Sequence, residues 1–146
     1  MKILIYAMPR SGSAWLANFL THDGMVFHHD PLGRMTVTEA SKLEAAVDTG
    51  AYLFPQLQAE RSYQLVRRVD DCNRSLVKLG LPPIAEYQGL RGRTFYYERL
   101  FDVGYLAELW QEVRGPGFDQ ERAEVLIDLN VQHRLDRILG ARQCLG

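Results

Sequence analysis

Residues 8–13, Met8-Pro9-Arg10-Ser11-Gly12-Ser13, form the stretch of this chain best suited to hold an anion. They follow a short apolar run, Ile3-Leu4-Ile5-Tyr6-Ala7, which reads as a buried strand. They precede Ala14 to Leu20, where Trp15, Leu16, Phe19 and Leu20 share one helix face. A strand, a tight glycine turn and a helix in that order leave the first helical N–H groups without intrahelical partners. Those groups lie at the positive end of the helix dipole, where a phosphate fits. Ser11 and Ser13 add hydroxyl donors and Arg10 adds a fixed cation. The same residue types also serve a plain strand-to-helix connection. The triphosphate loop GxxxxGK[ST] requires Lys after its second Gly, whereas Gly12 is followed by Ser13-Ala14.

Two further stretches carry chemistry. Phe27-His28-His29-Asp30-Pro31 places two imidazoles beside a carboxylate, and histidine titrates near neutral pH. Adjacent residues on an extended strand point to opposite faces, which argues against a shared metal ion. A structural loop with Asp30 capping a turn is the alternative to catalysis. Arg67-Arg68 closes another short apolar run, and a guanidinium suits planar contacts to phosphate.

The remaining pattern supplies the elements that must position these residues. Strands are expected at 3–7, 25–28, 63–66 and 93–97. Helices are expected at 14–20, 38–47 with Thr38 as N-cap and Gly50 as its stop, 70–79, 99–113 and 119–139. In the last of these, Ala123, Ile127, Val131, Leu135 and Ile138 recur at helical spacing. Short apolar strands alternating with amphipathic helices predict an α/β fold with a central parallel sheet flanked by helices. Ligands in such sheets sit beyond the C-terminal strand ends. That rule selects residues 8–15, 28–34 and 67–75.

Composition narrows the classes. Seventeen Lys+Arg against eighteen Asp+Glu give a net charge of −1, which argues against bulk electrostatic binding to nucleic acid. No apolar stretch approaches the ~20 residues that span a bilayer. The apolar start is cut by Pro9-Arg10, so a strand is expected there rather than a secretory leader, and a cytoplasmic location with it. Cys72 and Cys144 are too few for a disulfide scaffold and lack zinc spacing. The 146 residues fit one domain, 1–146, with 115–146 as a C-terminal helix.

Pro9-Arg10-Ser11-Gly12-Ser13-Ala14-Trp15-Leu16 resembles the 5′-phosphosulfate loop of the P-loop sulfotransferases, P-[KR]-S-G-[ST]-[ST]-W-L, at seven of eight positions. Leu65-Val66-Arg67-Arg68-Val69-Asp70-Asp71-Cys72-Asn73-Arg74-Ser75 resembles that family's 3′-phosphate element, an Arg at a strand end and a Ser eight residues later in the next helix. The usual Asn/Asp-Pro after the Arg is replaced by Arg68-Val69, which leaves Arg68 as an alternative ligand. Thr94-Phe95-Tyr96-Tyr97-Glu98-Arg99-Leu100 resembles the family's structural YE-x-L segment. The basic, glycine-rich segment with which some branches cover the 3′-phosphate near the C-terminus is not evident here, and Gly89-Leu90-Arg91-Gly92-Arg93 reads as a loop.

The resemblance implies a three-layer P-loop-like fold and 3′-phosphoadenosine 5′-phosphosulfate (PAPS) as sulfuryl donor, with adenosine 3′,5′-bisphosphate (PAP) as product. It implies a hydroxyl or amine acceptor, on a small molecule or a glycan. Ser11, Gly12, Ser13 and Ala14 would hold the 5′-phosphate, Arg10 the leaving-group oxygen, Arg67 and Ser75 the 3′-phosphate, and Trp15 would pack near the adenine. Trp15 is equally a core aromatic. Asp30-Pro31 stands where several branches carry the Glu-Pro that supplies the base, and others use a His; His28, His29 and Asp30 are the candidates, His29 and Asp30 foremost. Two alternatives remain open: a non-catalytic PAP-binding module, and an ATP-dependent kinase, which would need a loop Lys and a magnesium-linked carboxylate at a strand end.

Overall fold

A computed structural model describes residues 1–84 and 92–129. It is an α/β structure built on a five-stranded, all-parallel sheet flanked by helices. The strands are β1 (Ile3–Ala7), β2 (Phe27–His29), β3 (Ala45–Asp48), β4 (Arg61–Val66) and β5 (Arg93–Tyr96), in the order β2-β3-β1-β4-β5. The helices are α1 (Ser13–Leu20), α2 (Val37–Ser41), α3 (Val69–Lys78), α4 (Val103–Val113) and α5 (Gln120–Leu129).

β1 is buried at every position because both its faces are covered. Ile3, Ile5 and Ala7 face a cluster made with Trp15, Leu16 and Phe19 of α1 and with Leu106, Leu109 and Trp110 of α4. Leu4 and Tyr6 face a second cluster with Ala40, Ala46, Ala51 and Leu57. The connection leaving β1 therefore packs on one face of the sheet, and the connection leaving β3 packs on the other. Neighbouring strands whose connections part in this way open a crevice at their carboxyl ends. β1 pairs with β3 through Tyr6 opposite Asp48, and with β4 through Ala7 opposite Leu65. Their ends therefore finish side by side at that crevice.

The expected helix over 38–47 is corrected. α2 ends at Ser41, and Ala45–Asp48 is a strand buried at all four positions. Its N-cap is Thr36, not Thr38, and forms a reciprocal capping box with Glu39. Alanine favours a helix when isolated. Ala45 and Ala46 become strand because a site between β1 and β2 accepts small side chains with their backbone paired on both sides. The second strand runs 27–29 rather than 25–28, since Met25 pairs back on His22 in a tight turn. Residues 97–99 form a 3-10 turn, and α4 starts only at Val103, with Asp102 accepting the Tyr105 N–H as N-cap. The last helix is described from Gln120 to Leu129; its expected continuation to 139, the C-terminal stretch to 146 and Cys144 lie outside the described residues.

Gly92 enters β5 at a place where only glycine fits. Its φ is +85°, and a Cβ there would lie 1.9 Å from the Ser62 carbonyl oxygen on β4. Gly92→Ala is expected to destabilise the fold by about 2 kcal/mol through strain and a shifted β4–β5 pair. The midpoint of urea unfolding measures this, and an unchanged midpoint would contradict the close approach. Residues 89–91 of the glycine-rich segment fall outside the described residues.

Candidate anion-binding site

The turn after β1 closes on itself. The Ser11 hydroxyl donates to the Met8 carbonyl at 2.6 Å and its N–H to the same oxygen at 3.2 Å, so Ser11 is buried and holds the turn. Gly12 is the N-cap of α1 in left-handed geometry, φ +83°, and no side chain caps the helix. The first backbone bond of α1 runs from Leu16 N–H to the Gly12 carbonyl. The Ser13, Ala14 and Trp15 N–H groups precede that bond and gather at the positive end of the helix.

Arg67 follows β4 and comes to this turn. Its Nη1 donates to the Arg10 carbonyl at 2.8 Å, and its guanidinium lies 4.1 Å over the Tyr97 ring. Its Nε is buried with no partner among the described residues. Arg10 turns the other way, and its Nε donates to Ser75 Oγ of α3 at 2.8 Å. Arg10 is thus bonded to both, through its carbonyl to Arg67 and through its side chain to Ser75, across 57 and 65 residues. Arg68 points elsewhere: its Nε pairs with Asp71 at 3.0 Å, and Glu98 accepts its N–H. Of the two arginines, Arg67 is the one at the turn.

The third selected stretch arrives from β2. His29 Nε2 lies 3.0 Å from Ser13 Oγ and 3.2 Å from Asp30 Oδ2. Asp30 Oδ1 accepts the Thr49 N–H at 2.7 Å. His28, one residue earlier, does not line the cleft. Burial pushes its imidazole pKa down, helped by the Arg34 charge. A cleft of about 250 Å³ opens beside the turn; Arg10, Ser13, His29 and Asp30 line it, whereas Arg67 and Ser75 do not. Pro9, Gly12, Ala14, Thr49, Leu76, Leu79 and Leu81 complete its lining among the described residues.

Backbone strain collects in this cleft. Among the described residues three non-glycines have positive φ, and two of them, Arg10 at +62° and Asp30 at +45°, line it. Each left-handed residue costs about 1–2 kcal/mol. Arg10 is held by Arg67 on its carbonyl; Asp30 is held through its N–H on the Val47 carbonyl and its carboxylate on Thr49. Such over-determined strain gathers at sites that bind or react.

Trp15 takes the other of its two readings. It is 1% exposed, stacks on Phe19 at 5.3 Å and donates its indole N–H to the Leu126 carbonyl. A side chain sealed under α5 is a core aromatic, and it does not line the cleft.

Several contributors were hidden in the sequence. Asp48 ends β3 and is 1% exposed. It accepts the Leu32 and Gly50 N–H groups at 3.0 and 2.7 Å. Burial pushes its pKa up, against the lowering effect of those N–H groups. It ties the loop carrying Asp30 to the loop carrying Thr49. No signal could reveal it while residues 45–47 read as helix. Tyr97, which supports Arg67, lay in the YE-x-L segment and was legible there only as structural.

Among the described residues there is no group of three His, Cys, Asp or Glu arranged to hold a metal ion. No helix among them is long and apolar enough to cross a membrane. Comparison with protein-family models, with curated proteins and with solved structures finds no match to this chain.

Proposed function

We propose that this chain is a sulfotransferase that moves the sulfuryl group of PAPS to an acceptor hydroxyl or amine, on a P-loop-like fold. The observation that carries the reading is that Arg10, beside the uncapped start of α1, is bonded through its carbonyl to Arg67 and through its side chain to Ser75. The donor carries an anion on each of two ribose oxygens, 3′ and 5′, and this junction offers donors for both. The N–H groups at residues 13–15 suit the 5′-phosphate, as helix starts suit phosphates generally. Arg67 and Ser75 suit the 3′-phosphate, and the partnerless Arg67 Nε is the kind of buried donor that an anion satisfies.

PAPS supplies an activated sulfuryl group on a phosphate leaving group. Transfer of that kind asks the protein for placement and charge stabilisation, not covalent work. Arg10 lines the cleft, and its cation would stabilise charge growing on the bridging oxygen as the S–O bond breaks. His29 and Asp30 act as a pair that receives the acceptor proton, with Ser13 fixing the imidazole on one side and Thr49 fixing the carboxylate on the other. Asp48 holds both loops in place from behind. The loop basic residue precedes the Ser-Gly, and both oxygens of the strand-end carboxylate Asp48 are taken by backbone N–H groups. Those features favour this reading over a magnesium-dependent kinase.

Calorimetric titration tests it. PAP is expected to bind the wild type at least tenfold more tightly than ATP does. Arg67→Ala is expected to weaken PAP by about 100-fold, since a charge-assisted contact to phosphate is worth about 1.5–3 kcal/mol and a supported, desolvated one sits at the upper end. Equal affinity for ATP, or an unchanged PAP affinity in the variant, refutes the 3′-phosphate assignment.

A further inference from the structure

His29 presents one ring nitrogen to two oxygens. Its Nε2 lies 3.0 Å from Ser13 Oγ and 3.2 Å from Asp30 Oδ2. An ionised carboxylate only accepts hydrogen bonds, so the nitrogen facing it must carry the hydrogen. A bare Nε2 would instead set its lone pair against a negative oxygen. Asp30 is held to this contact, because its Oδ1 accepts the Thr49 N–H at 2.7 Å and leaves Oδ2 for the ring.

The consequence falls on Ser13. With the hydrogen on Nε2 shared between the two oxygens, Ser13 Oγ is the acceptor in the 3.0 Å contact. Its own hydroxyl hydrogen must then find another partner. The contact with His29 is the one hydrogen bond of Ser13 Oγ among the described residues. Ser13 is 7% exposed, which cuts it off from bulk water, and it lines the cleft at the uncapped start of α1. A buried hydroxyl hydrogen without a protein acceptor calls for a partner. Here it stands beside the N–H groups of Ser13, Ala14 and Trp15, where an anion fits.

We propose that Asp30 and His29 form a relay that frees the Ser13 hydroxyl hydrogen for an anion seated at the start of α1. Ser13 is the binding residue, and His29 and Asp30 are positioning residues that act through it. The residue types are those of a serine–histidine–carboxylate triad, but the hydrogen bond runs the other way. The ring donates to the serine, so the serine is a hydrogen-bond donor to the ligand and not a nucleophile. A proton taken up by the pair lands on Nδ1 or on the carboxylate. The Nε2 hydrogen and the Ser13 donor therefore persist through it. The proposal rests on the anion site of the reading above and not on the identity of the sulfuryl donor.

Nitrogen-15 NMR of histidine-labelled protein tests this, with calorimetric titration of PAP and of inorganic phosphate at about pH 9, where an imidazole is ordinarily neutral. The His29 ring is expected to carry its hydrogen on Nε2, and Asp30→Ala should let a share of the ring move it to Nδ1. Ser13→Ala is expected to weaken both anions by about tenfold, as loss of a hydrogen bond to a charged group does. His29→Gln keeps an N–H donor, so affinity should stay within about threefold. His29→Phe keeps a ring without the donor. It should weaken both anions by about fivefold and leave Ser13→Ala with little further effect in the double variant. The tautomer is read on the unaltered protein, so a variant that fails to fold does not spoil the test. A ring bare at Nε2, unchanged binding in Ser13→Ala, or tighter binding in His29→Phe overturns the proposal. Wild type that binds phosphate through Ser13 but does not bind PAP overturns the functional reading alone. Wild type that binds neither anion overturns both.

Discussion

Arg10→Gly is expected to lower sulfuryl transfer by about 1,000-fold while the protein stays folded. Removing one preorganised donor aimed at developing charge commonly costs about 10²–10³ in rate, and Arg10 is both a donor and a cation. Glycine is the informative replacement because Arg10 sits at φ +62°, where glycine is unstrained. Alanine at that position would add about 1–2 kcal/mol of backbone strain and confuse a catalytic loss with a structural one. The turn should survive in Arg10→Gly, since Ser11 closes it through Met8 and Arg67 binds the residue 10 carbonyl, not its side chain. Transfer of labelled sulfate, with urea unfolding as the control on folding, is the measurement. Transfer at the wild-type rate would remove Arg10 from the mechanism, and an unfolded variant would show that its link to Ser75 is structural.

The second large effect concerns the far end of the same helix. α1 leaves its last carbonyls without intrahelical partners, and two arginines take them up. Arg122 of α5 reaches the Asn18, Phe19 and Thr21 carbonyls at 3.0, 2.8 and 3.0 Å. Arg114, after α4, reaches those of Leu20, His22 and Met25. A cation at a helix C-terminus also complements the dipole. Burial pushes the Arg122 pKa down from its ordinary value, against the pull of Asp119. Arg122→Ala leaves three carbonyls in a partly buried setting, so a loss of about 3 kcal/mol is expected. Arg122→Lys should recover only part, because the three donors of an ammonium radiate from one nitrogen, whereas the carbonyls are met by the two separate terminal nitrogens of the guanidinium. Urea unfolding followed by tryptophan fluorescence suits the test, since Trp15 donates to Leu126 of the same helix. A loss below about 0.5 kcal/mol would mean that water satisfies those carbonyls equally well.

The turn after β1 was legible because its chemistry is local. A buried strand, a left-handed glycine and an uncapped helix start lie within one stretch of sequence, and nearest-neighbour geometry specifies them. The alternation of strand and helix was legible in the same way, and it led to the all-parallel sheet. The third strand was not. Ala45-Ala46-Val47 has no pattern of its own, and only the slot between β1 and β2 makes it extended. With that strand misread, Asp48 and Thr49 were invisible as members of the cleft.

Which arginine turns inward, and toward what, was likewise beyond the sequence. Arg67 and Arg68 are adjacent and identical in type; the Tyr97 ring and the Arg10 carbonyl draw one inward, while Asp71 and Glu98 hold the other outside. The same applies to Trp15, whose amphipathic helix position allowed either a ligand face or a core face until α5 closed over it. Sequence alone determined the residue types at each strand end, because strand and turn propensities act over a few neighbouring residues. Tertiary structure decided which of those residues share a cleft, because that depends on strand order and on contacts between segments far apart in the chain.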